Sequence, residues 1–208
     1  MSRIAIFGAS SKLGHQLIAH ALEAEHRVSA LTREPSRIQR ANPGLTVFRG
    51  DAETGEGLGD ALGGATHVIS AINSPHLSVC TGHLITAMAG RKVQRWVFLS
   101  WVGAGDSALQ ATRTSGPMGP LLRAIERPMV DEISRAEGLV RTSGLPWVLM
   151  RATRLTDEVG ATVVATSARA DPPRRVGRSD LARFIVRSLE EPGWEHREVS
   201  VGAERAEE

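Results

Sequence analysis

The sequence predicts a single α/β domain with a doubly wound parallel sheet, and two observations support this fold class. Apolar runs of the length of buried strands alternate with segments of helical periodicity from end to end. The chain has 208 residues, of which 41% are hydrophobic and 23% charged, as in one folded domain. Such alternation indicates parallel strands joined by right-handed helical crossovers. We assign the domain to residues 1–203 and interpret 204–208 as an acidic tail.

The predicted strands are short apolar or β-branched runs bounded by turn residues. They span residues 3–7, 28–31, 46–48, 67–72, 96–100, 147–150, 162–165 and 198–201. The predicted helices span 13–22, 77–89, 121–142 and 179–189, with Ser179 as the cap of the last one. Pro128 lacks a backbone N–H and therefore predicts a kink or break in the third helix. The segments 103–120 and 168–177 are rich in turn residues, and we expect them to form a substrate pocket.

Composition and charge exclude several function classes. The formal net charge is only +2 and the basic residues are dispersed, so we expect no nucleic-acid partner. Cys80 is the single cysteine, which excludes an internal disulfide, and no Cys/His spacing predicts a metal site. The sequence shows neither a signal peptide nor an apolar stretch of membrane-spanning length. We therefore expect a cytoplasmic chain without a membrane partner.

A glycine-containing loop, Gly8-Ala9-Ser10-Ser11-Lys12-Leu13-Gly14, follows the first strand and opens the first helix. Such a loop offers free N–H groups and the positive end of a helix dipole to a dinucleotide pyrophosphate. Gly8 permits the tight turn and Gly14 lets the helix approach the sheet, whereas the middle glycine is replaced by Ser11 or Lys12. We predict cofactor binding by Gly8, Ser10, Ser11, Lys12, Leu13 and Gly14, with hydroxyl groups and the lysine charge on phosphate. The alternative is a strand-to-helix turn that binds nothing.

The residue type after the second strand selects between the two nicotinamide dinucleotides. A free ribose 2′-hydroxyl is usually held there by Asp or Glu, whereas an arginine suits the 2′-phosphate of NADP. Arg33 occupies this position, so we predict NADP, in its reduced form NADPH, as the cofactor. The alternative interpretation of Arg33 is a solvated surface arginine in a chain rich in arginine.

Together with this loop, several runs carry a family resemblance. They are L-T-R-E-P-S-R-I from Leu31, G-D-A from Gly50, W-V-F-L-S from Trp96, R-A-E-G-L-V-R-T-S-G-L-P-W-V-L-M-R from Arg135 and G-R-S-D-L-A-R-F-I-V from Gly177. In this order they resemble the atypical short-chain dehydrogenase/reductases of the NmrA-like and biliverdin reductase B-like group. The resemblance covers nearly the whole chain and implies a Rossmann-like, NAD(P)-binding domain.

The resemblance also implies roles for matching positions. Asp51 and Ala52 match the pair beside the adenine; Ser70, Ala71 and Ile72 match the backbone that lines the ribose. Ser100 matches the serine beside the nicotinamide and is the candidate catalytic residue, although a serine that ends a strand is also a common turn residue. Arg151, Ala152 and Thr153 match the stretch after the sixth strand, where Ala152 replaces the family's usual proline.

The chain contains no tyrosine, and the segment 121–142 contains no lysine. The Tyr-Lys pair that many short-chain dehydrogenases use as proton donor is therefore absent. We predict an NADPH-dependent reductase of a small conjugated or carbonyl substrate, such as a quinone, a flavin or a biosynthetic intermediate. Water, Ser100 or the loop residue His76 would supply the proton, and Trp101 would stack on a flat substrate.

Two other function classes remain open at this point. One is a dinucleotide-binding sensor or regulator without turnover, which the NmrA-like resemblance allows. The other is a chain repurposed for a non-redox biosynthetic step, such as a cyclisation or an isomerisation. The lost glycine and the missing tyrosine are compatible with both. The expected partner is a small-molecule substrate, and a homodimer is left open.

Overall fold

The computed structural model describes residues 1–38, 41–101, 119–167 and 175–203, and these residues form the predicted α/β fold. The strands are β1 Arg3–Phe7, β2 Arg27–Thr32, β3 Leu45–Arg49, β4 His67–Ser70, β5 Arg95–Trp101, β6 Trp147–Ala152, β7 Arg154–Thr156, β8 Val163–Ser167, β9 Arg175–Gly177 and β10 Arg197–Ala203. The helices are α1 Lys12–Glu23, α2 Leu58–Ala61, α3 Leu77–Met88, α4 Gly119–Thr142 and α5 Arg178–Ser188, with a 3₁₀ turn at Pro35–Arg37.

Eight strands form the main sheet in the order β3-β2-β1-β4-β5-β6-β10-β8, and β7 pairs with β9 separately. Every neighbouring pair from β3 to β10 is parallel. The chain leaves β1 towards β2 on one side and enters β4 on the other, so the connections reverse direction between β1 and β4. In open α/β sheets the crevice beyond the carboxyl ends of strands at such a reversal is where ligands bind.

The central strands β1, β4 and β6 are buried on both faces, which explains their nearly continuous apolar sequences. On one face α1 and α5 pack together over a core that includes Ile6 and Leu17. On the other face α3 and α4 cover a second core that includes Phe7, Trp96 and Phe98. Successive strand residues point to opposite faces, so Ile6 and Phe7 belong to different cores.

Three details differ from the expectations. Strand β8 pairs with β10 in the antiparallel sense, so the predicted parallel sheet has one antiparallel pair at this edge. Helix α4 runs unbroken through the exposed Pro128. Helix α5 begins at Arg178 after Gly177, and no side chain caps it, so the capping role predicted for Ser179 is wrong. The Ser179 hydroxyl instead pairs with His20 Nε2 at 2.9 Å, which ties α5 to α1.

Most of the expected substrate pocket falls outside the described residues. This applies to 102–118 and 168–174, whereas Arg175–Gly177 forms β9; the expected acidic tail also falls outside. Within the described ranges, no helix combines the length and the apolar character needed to cross a membrane.

Candidate cofactor site

The glycine loop leaves no room for a side chain where β1 and β4 end. Gly8 has a φ of +83°, and a Cβ on it would lie 2.2 Å from the Ala71 carbonyl oxygen. The Ala71 N–H donates to the Phe7 carbonyl at 2.9 Å. The predicted residues Gly8 and Ala71 are thus in direct contact, and only glycine fits the first position.

The loop then turns directly into α1. A Cβ on Gly14 would lie 2.4 Å from the Gly8 carbonyl oxygen and 2.5 Å from that of Ala9. Ser11 is the N-cap of the helix: its Oγ accepts from the Gly14 N–H at 2.9 Å and donates to the Gly8 carbonyl at 2.8 Å. The structure corrects the prediction for Ser11, because its single hydroxyl proton is used inside the loop instead of facing a phosphate.

Other donors of the loop have no partner among the described groups. The backbone N–H groups of Ser10, Lys12 and Leu13 donate to no described atom, and the first turn of α1 carries no acidic residue. These amides lie at the positive end of the α1 dipole. The loop has no space for a Cβ at Gly8 or Gly14, and three of its amides have no described acceptor. Such a loop fits a dinucleotide pyrophosphate.

An open cavity of about 410 Å³ adjoins this loop and is lined by Ser10, Lys12, His15, Gln16, Asp157 and Arg178. Asp157 bridges two cations across it, with Arg178 Nη1 at 2.5 Å and Lys12 Nζ at 3.4 Å. Hydrogen bonds from Arg178 and then Lys12 hold the pKa of the Asp157 carboxyl below its usual value. The predicted residues Ser10 and Lys12 therefore face a cavity where Arg178 adds a second positive charge.

The residues predicted for the adenine half lie together at the ends of β2 and β3. Thr32 and Arg49 are register partners, so Arg33 and Asp51 follow adjacent strand ends. Arg33 is exposed and has no ion pair with a described group. Asp51 closes a turn by accepting from the Glu53 N–H at 2.9 Å, and the Ala52 carbonyl lies 3.2 Å from His83 Nδ1.

The residues predicted for the nicotinamide half lie at the ends of β4 and β5. Ser70 is buried, and its hydroxyl has no described partner, while Ala71 and Ile72 follow it at the strand end. Ser100 is half-buried near the end of β5, and the next residue, Trp101, is 54% exposed. His76 is exposed just before α3.

A buried carboxylate that the sequence did not single out contacts Ser100. Glu137 of α4 is 0% exposed. Ser100 Oγ donates to Glu137 Oε1 at 2.6 Å. The Arg151 guanidinium, also 0% exposed, donates to the same carboxylate from Nε at 3.0 Å and from Nη2 at 2.7 Å.

Two further charges complete this cluster. Glu198 accepts from Arg151 Nη2 at 2.9 Å and from Arg141 Nε at 2.5 Å. Arg141 also donates to Glu137 at 3.1 Å. We call Glu137, Arg141, Arg151 and Glu198 the charge quartet. Burial opposes the charge of Arg151, but hydrogen bonds to both carboxylates outweigh it and raise its pKa. Hydrogen bonds from Arg141 lower the pKa of Glu198.

The quartet corrects the expectation for Arg151. The residue lies inside β6 and not after it, is fully buried, and forms ion pairs with two carboxylates. Its Nε and Nη2 donate to the carboxylates of the quartet, whereas its Nη1 has no described partner. Ala152 ends β6, and the Thr153 N–H donates to the Val201 carbonyl at 3.2 Å. Both residues therefore lie at the carboxyl end of β6.

A helical pattern contained a signal for Glu137. Ile133, Ala136 and Val140 are buried at the spacing of one helix face, and Glu137 falls within that stripe. A charged residue inside an apolar stripe is seldom buried without a partner. The signal indicated a buried ion pair, although the sequence did not identify the partner.

Comparison with known proteins agrees with this geometry. Residues 8–192 match the model of a family described as NAD(P)H-binding. The chain belongs to this NAD(P)H-binding family. The match starts at Gly8 and confirms the dinucleotide-binding character of the resemblance seen in the sequence. It does not distinguish NAD from NADP.

Solved structures show the same fold in several bacterial proteins. ChuY, an anaerobilin reductase from Escherichia coli O157:H7, is 22% identical and superposes with a TM-score of 0.83 over 100% of both chains. A short-chain dehydrogenase/reductase from Veillonella parvula in complex with NADP is 18% identical, with a TM-score of 0.75 over 97% of this chain and 94% of that one. The oxidoreductase YlbE from Lactococcus lactis is 16% identical, with a TM-score of 0.78 over 98% and 91%.

Proposed function

We propose that this member of the NAD(P)H-binding family is an NADPH-dependent reductase of a small conjugated or carbonyl compound. The observation that carries the proposal is the glycine loop at the strand reversal, where Gly8 and Gly14 tolerate no Cβ and three backbone amides donate to no described group. Two proteins of the same fold support it, since one reduces anaerobilin and another binds NADP. A quinone, a flavin, a linear tetrapyrrole or a conjugated biosynthetic intermediate fits this substrate class.

A bound NADPH would supply the hydride, and the chain must bind, orient and shield the acceptor. The protein has no tyrosine to supply the proton. Because the Ser100 proton is donated to Glu137, we assign the proton to water or to the exposed His76. An electron-poor conjugated acceptor needs little acid assistance, so such a site suits it better than a simple ketone.

We assign the preference for NADPH to Arg33, which would bind the 2′-phosphate. We expect Arg33→Ala to weaken NADPH binding about tenfold to a hundredfold, as for the loss of a charge-assisted contact of about 1.5–3 kcal/mol. NADH binding should change little, because NADH lacks the 2′-phosphate. Tryptophan fluorescence titration with both dinucleotides measures this effect.

Arg27→Ala is the matched control for this experiment. Arg27 is also exposed, but it begins β2 and so lies at the opposite end of this strand from Arg33. The control should bind both dinucleotides as the unmodified chain does. Equal losses of NADPH and NADH in Arg33→Ala would contradict the assignment of Arg33 to the 2′-phosphate.

Turnover separates the reductase from the two other function classes. NADPH oxidation is followed at 340 nm with quinones, flavins and linear tetrapyrroles as acceptors. Tight binding with turnover supports the reductase. Tight binding with no turnover on any acceptor favours a sensor, and no dinucleotide binding favours a repurposed non-redox enzyme.

A further inference from the structure

Three polar residues cross the sheet in one row beneath α4. Ser100 of β5 pairs in register with Arg151 of β6, which pairs with Ser200 of β10. The preceding residues on the same face, such as Phe98 and Leu149, belong to the apolar core that α4 covers. The row therefore lies between the apolar core and the carboxyl ends of the strands.

The chemistry of the two groups determines the direction of the hydrogen bond between Ser100 and Glu137. A carboxylate only accepts, and a serine hydroxyl has a single proton. The Ser100 proton must therefore be given to Glu137, at the 2.6 Å typical of a charge-assisted bond. Ser100 donates to no other described group, so its oxygen keeps lone pairs that can accept.

The charge quartet keeps Glu137 in the accepting state. The negative charges of two carboxylates and the positive charges of two guanidinium groups cancel in this cluster. Glu137 is 0% exposed and receives hydrogen bonds from Arg151 and Arg141. Both oxygens of Glu137 accept from arginine donors, and Oε1 also accepts from Ser100, so this side chain is the acceptor in each of its described hydrogen bonds.

We propose that Glu137 is a positioning residue that fixes Ser100 as a hydrogen-bond acceptor for the carboxamide N–H of the nicotinamide. The inference rests on the proposed function. Strands β4 to β6 form the second half of the doubly wound sheet, where the second nucleotide of a dinucleotide binds. Within the nicotinamide ring and its substituents, the carboxamide carries the N–H donor. The site then discriminates against a ring whose substituent lacks an N–H.

The test compares two dinucleotides that differ at this group. Reduced 3-acetylpyridine adenine dinucleotide phosphate has a methyl ketone in place of the carboxamide of NADPH. We expect the unmodified chain to bind NADPH about threefold to tenfold more tightly, the range of one neutral hydrogen bond. In Ser100→Ala the two Kd values should become equal. In Glu137→Gln the ratio should also fall, because the amide N–H can donate to the serine and reverse the bond.

Glu198→Gln is the control, because Glu198 touches both arginines but not Ser100. It should lower the melting temperature but leave the Kd ratio unchanged. Thermal melting checks that every variant is folded. Glu137→Asp replaces Glu137→Gln if the latter does not fold; it keeps the charge but withdraws the carboxylate by one methylene, and it should also lower the ratio.

Different failures have different meanings. A ratio near one in the unmodified chain, or an unchanged ratio in Ser100→Ala, overturns the role of Ser100 as acceptor. A ratio that is lost in Ser100→Ala but kept in folded Glu137 variants overturns the positioning role of Glu137. In both cases tight NADPH binding leaves the proposed function intact. Absence of NADPH binding overturns the proposed function together with this inference.

Discussion

Gly14→Ala should abolish dinucleotide binding and destabilise the fold, although it adds a single carbon atom. That carbon would lie 2.4 Å from the Gly8 carbonyl oxygen and 2.6 Å from the Ala9 carbonyl carbon. Both obstacles are backbone atoms, so the helix must move away from the loop and take the Lys12 and Leu13 amides with it. Overpacking of this kind costs about 1–3 kcal/mol or more. Urea unfolding and NADPH titration measure the two effects.

Gly82→Ala is the matched control, because it makes the same change inside α3, where a Cβ meets no atom within 4 Å. Alanine is the better helix former by about 0.5–1 kcal/mol, so this variant should be slightly more stable than the unmodified chain. Its NADPH affinity should be unchanged. Normal NADPH affinity in Gly14→Ala would show that close approach of α1 is not what holds the cofactor.

The core of the fold was predictable because its strands are buried on both faces. Runs such as residues 3–7 and 96–100 are apolar without alternation, and a helical pattern follows each, which leaves few topologies. The direction of β8 was not predictable, since a short edge strand pairs in either sense with the same side-chain pattern. The predicted break at Pro128 is absent, since helix α4 continues through this exposed residue.

The parts of the candidate site that depend on backbone conformation were predictable from the sequence. The parts that depend on which side chains pair with each other were not. The roles of Gly8 and Gly14 follow from their positions in the loop. A tight turn and the close approach of a helix to a strand end both require glycine. Arg151 was assigned through the family resemblance, yet it donates hydrogen bonds to Glu137 and Glu198, which lie 14 and 47 residues away in sequence. A helical pattern can indicate that a charge is buried, but it carries no information on the partner, which is visible only once the fold is known.

Arg151→Met should destabilise the chain by about 3–5 kcal/mol, the cost of breaking a buried ion pair from one side. The substitution keeps much of the apolar volume but removes the guanidinium that donates to Glu137 and Glu198. One excess negative charge then remains in a cluster whose central carboxylate is 0% exposed. The measurement is urea unfolding at neutral pH. Arg187→Met, which breaks a surface pair with Glu191, should cost less than about 1 kcal/mol.

The double variant Arg151→Met/Glu137→Leu tests whether charge balance or the individual bonds hold this region together. It removes one charge of each sign and leaves Arg141 and Glu198 joined by two hydrogen bonds of 2.5 and 2.9 Å. Buried ion pairs replaced by apolar groups of similar size are often neutral for stability, so the double variant should be more stable than Arg151→Met alone. Ser100 would then lose its acceptor, and its preference for the carboxamide should disappear in a folded protein. A double variant less stable than the single one would show that Glu137 stabilises the fold through contacts other than Arg151.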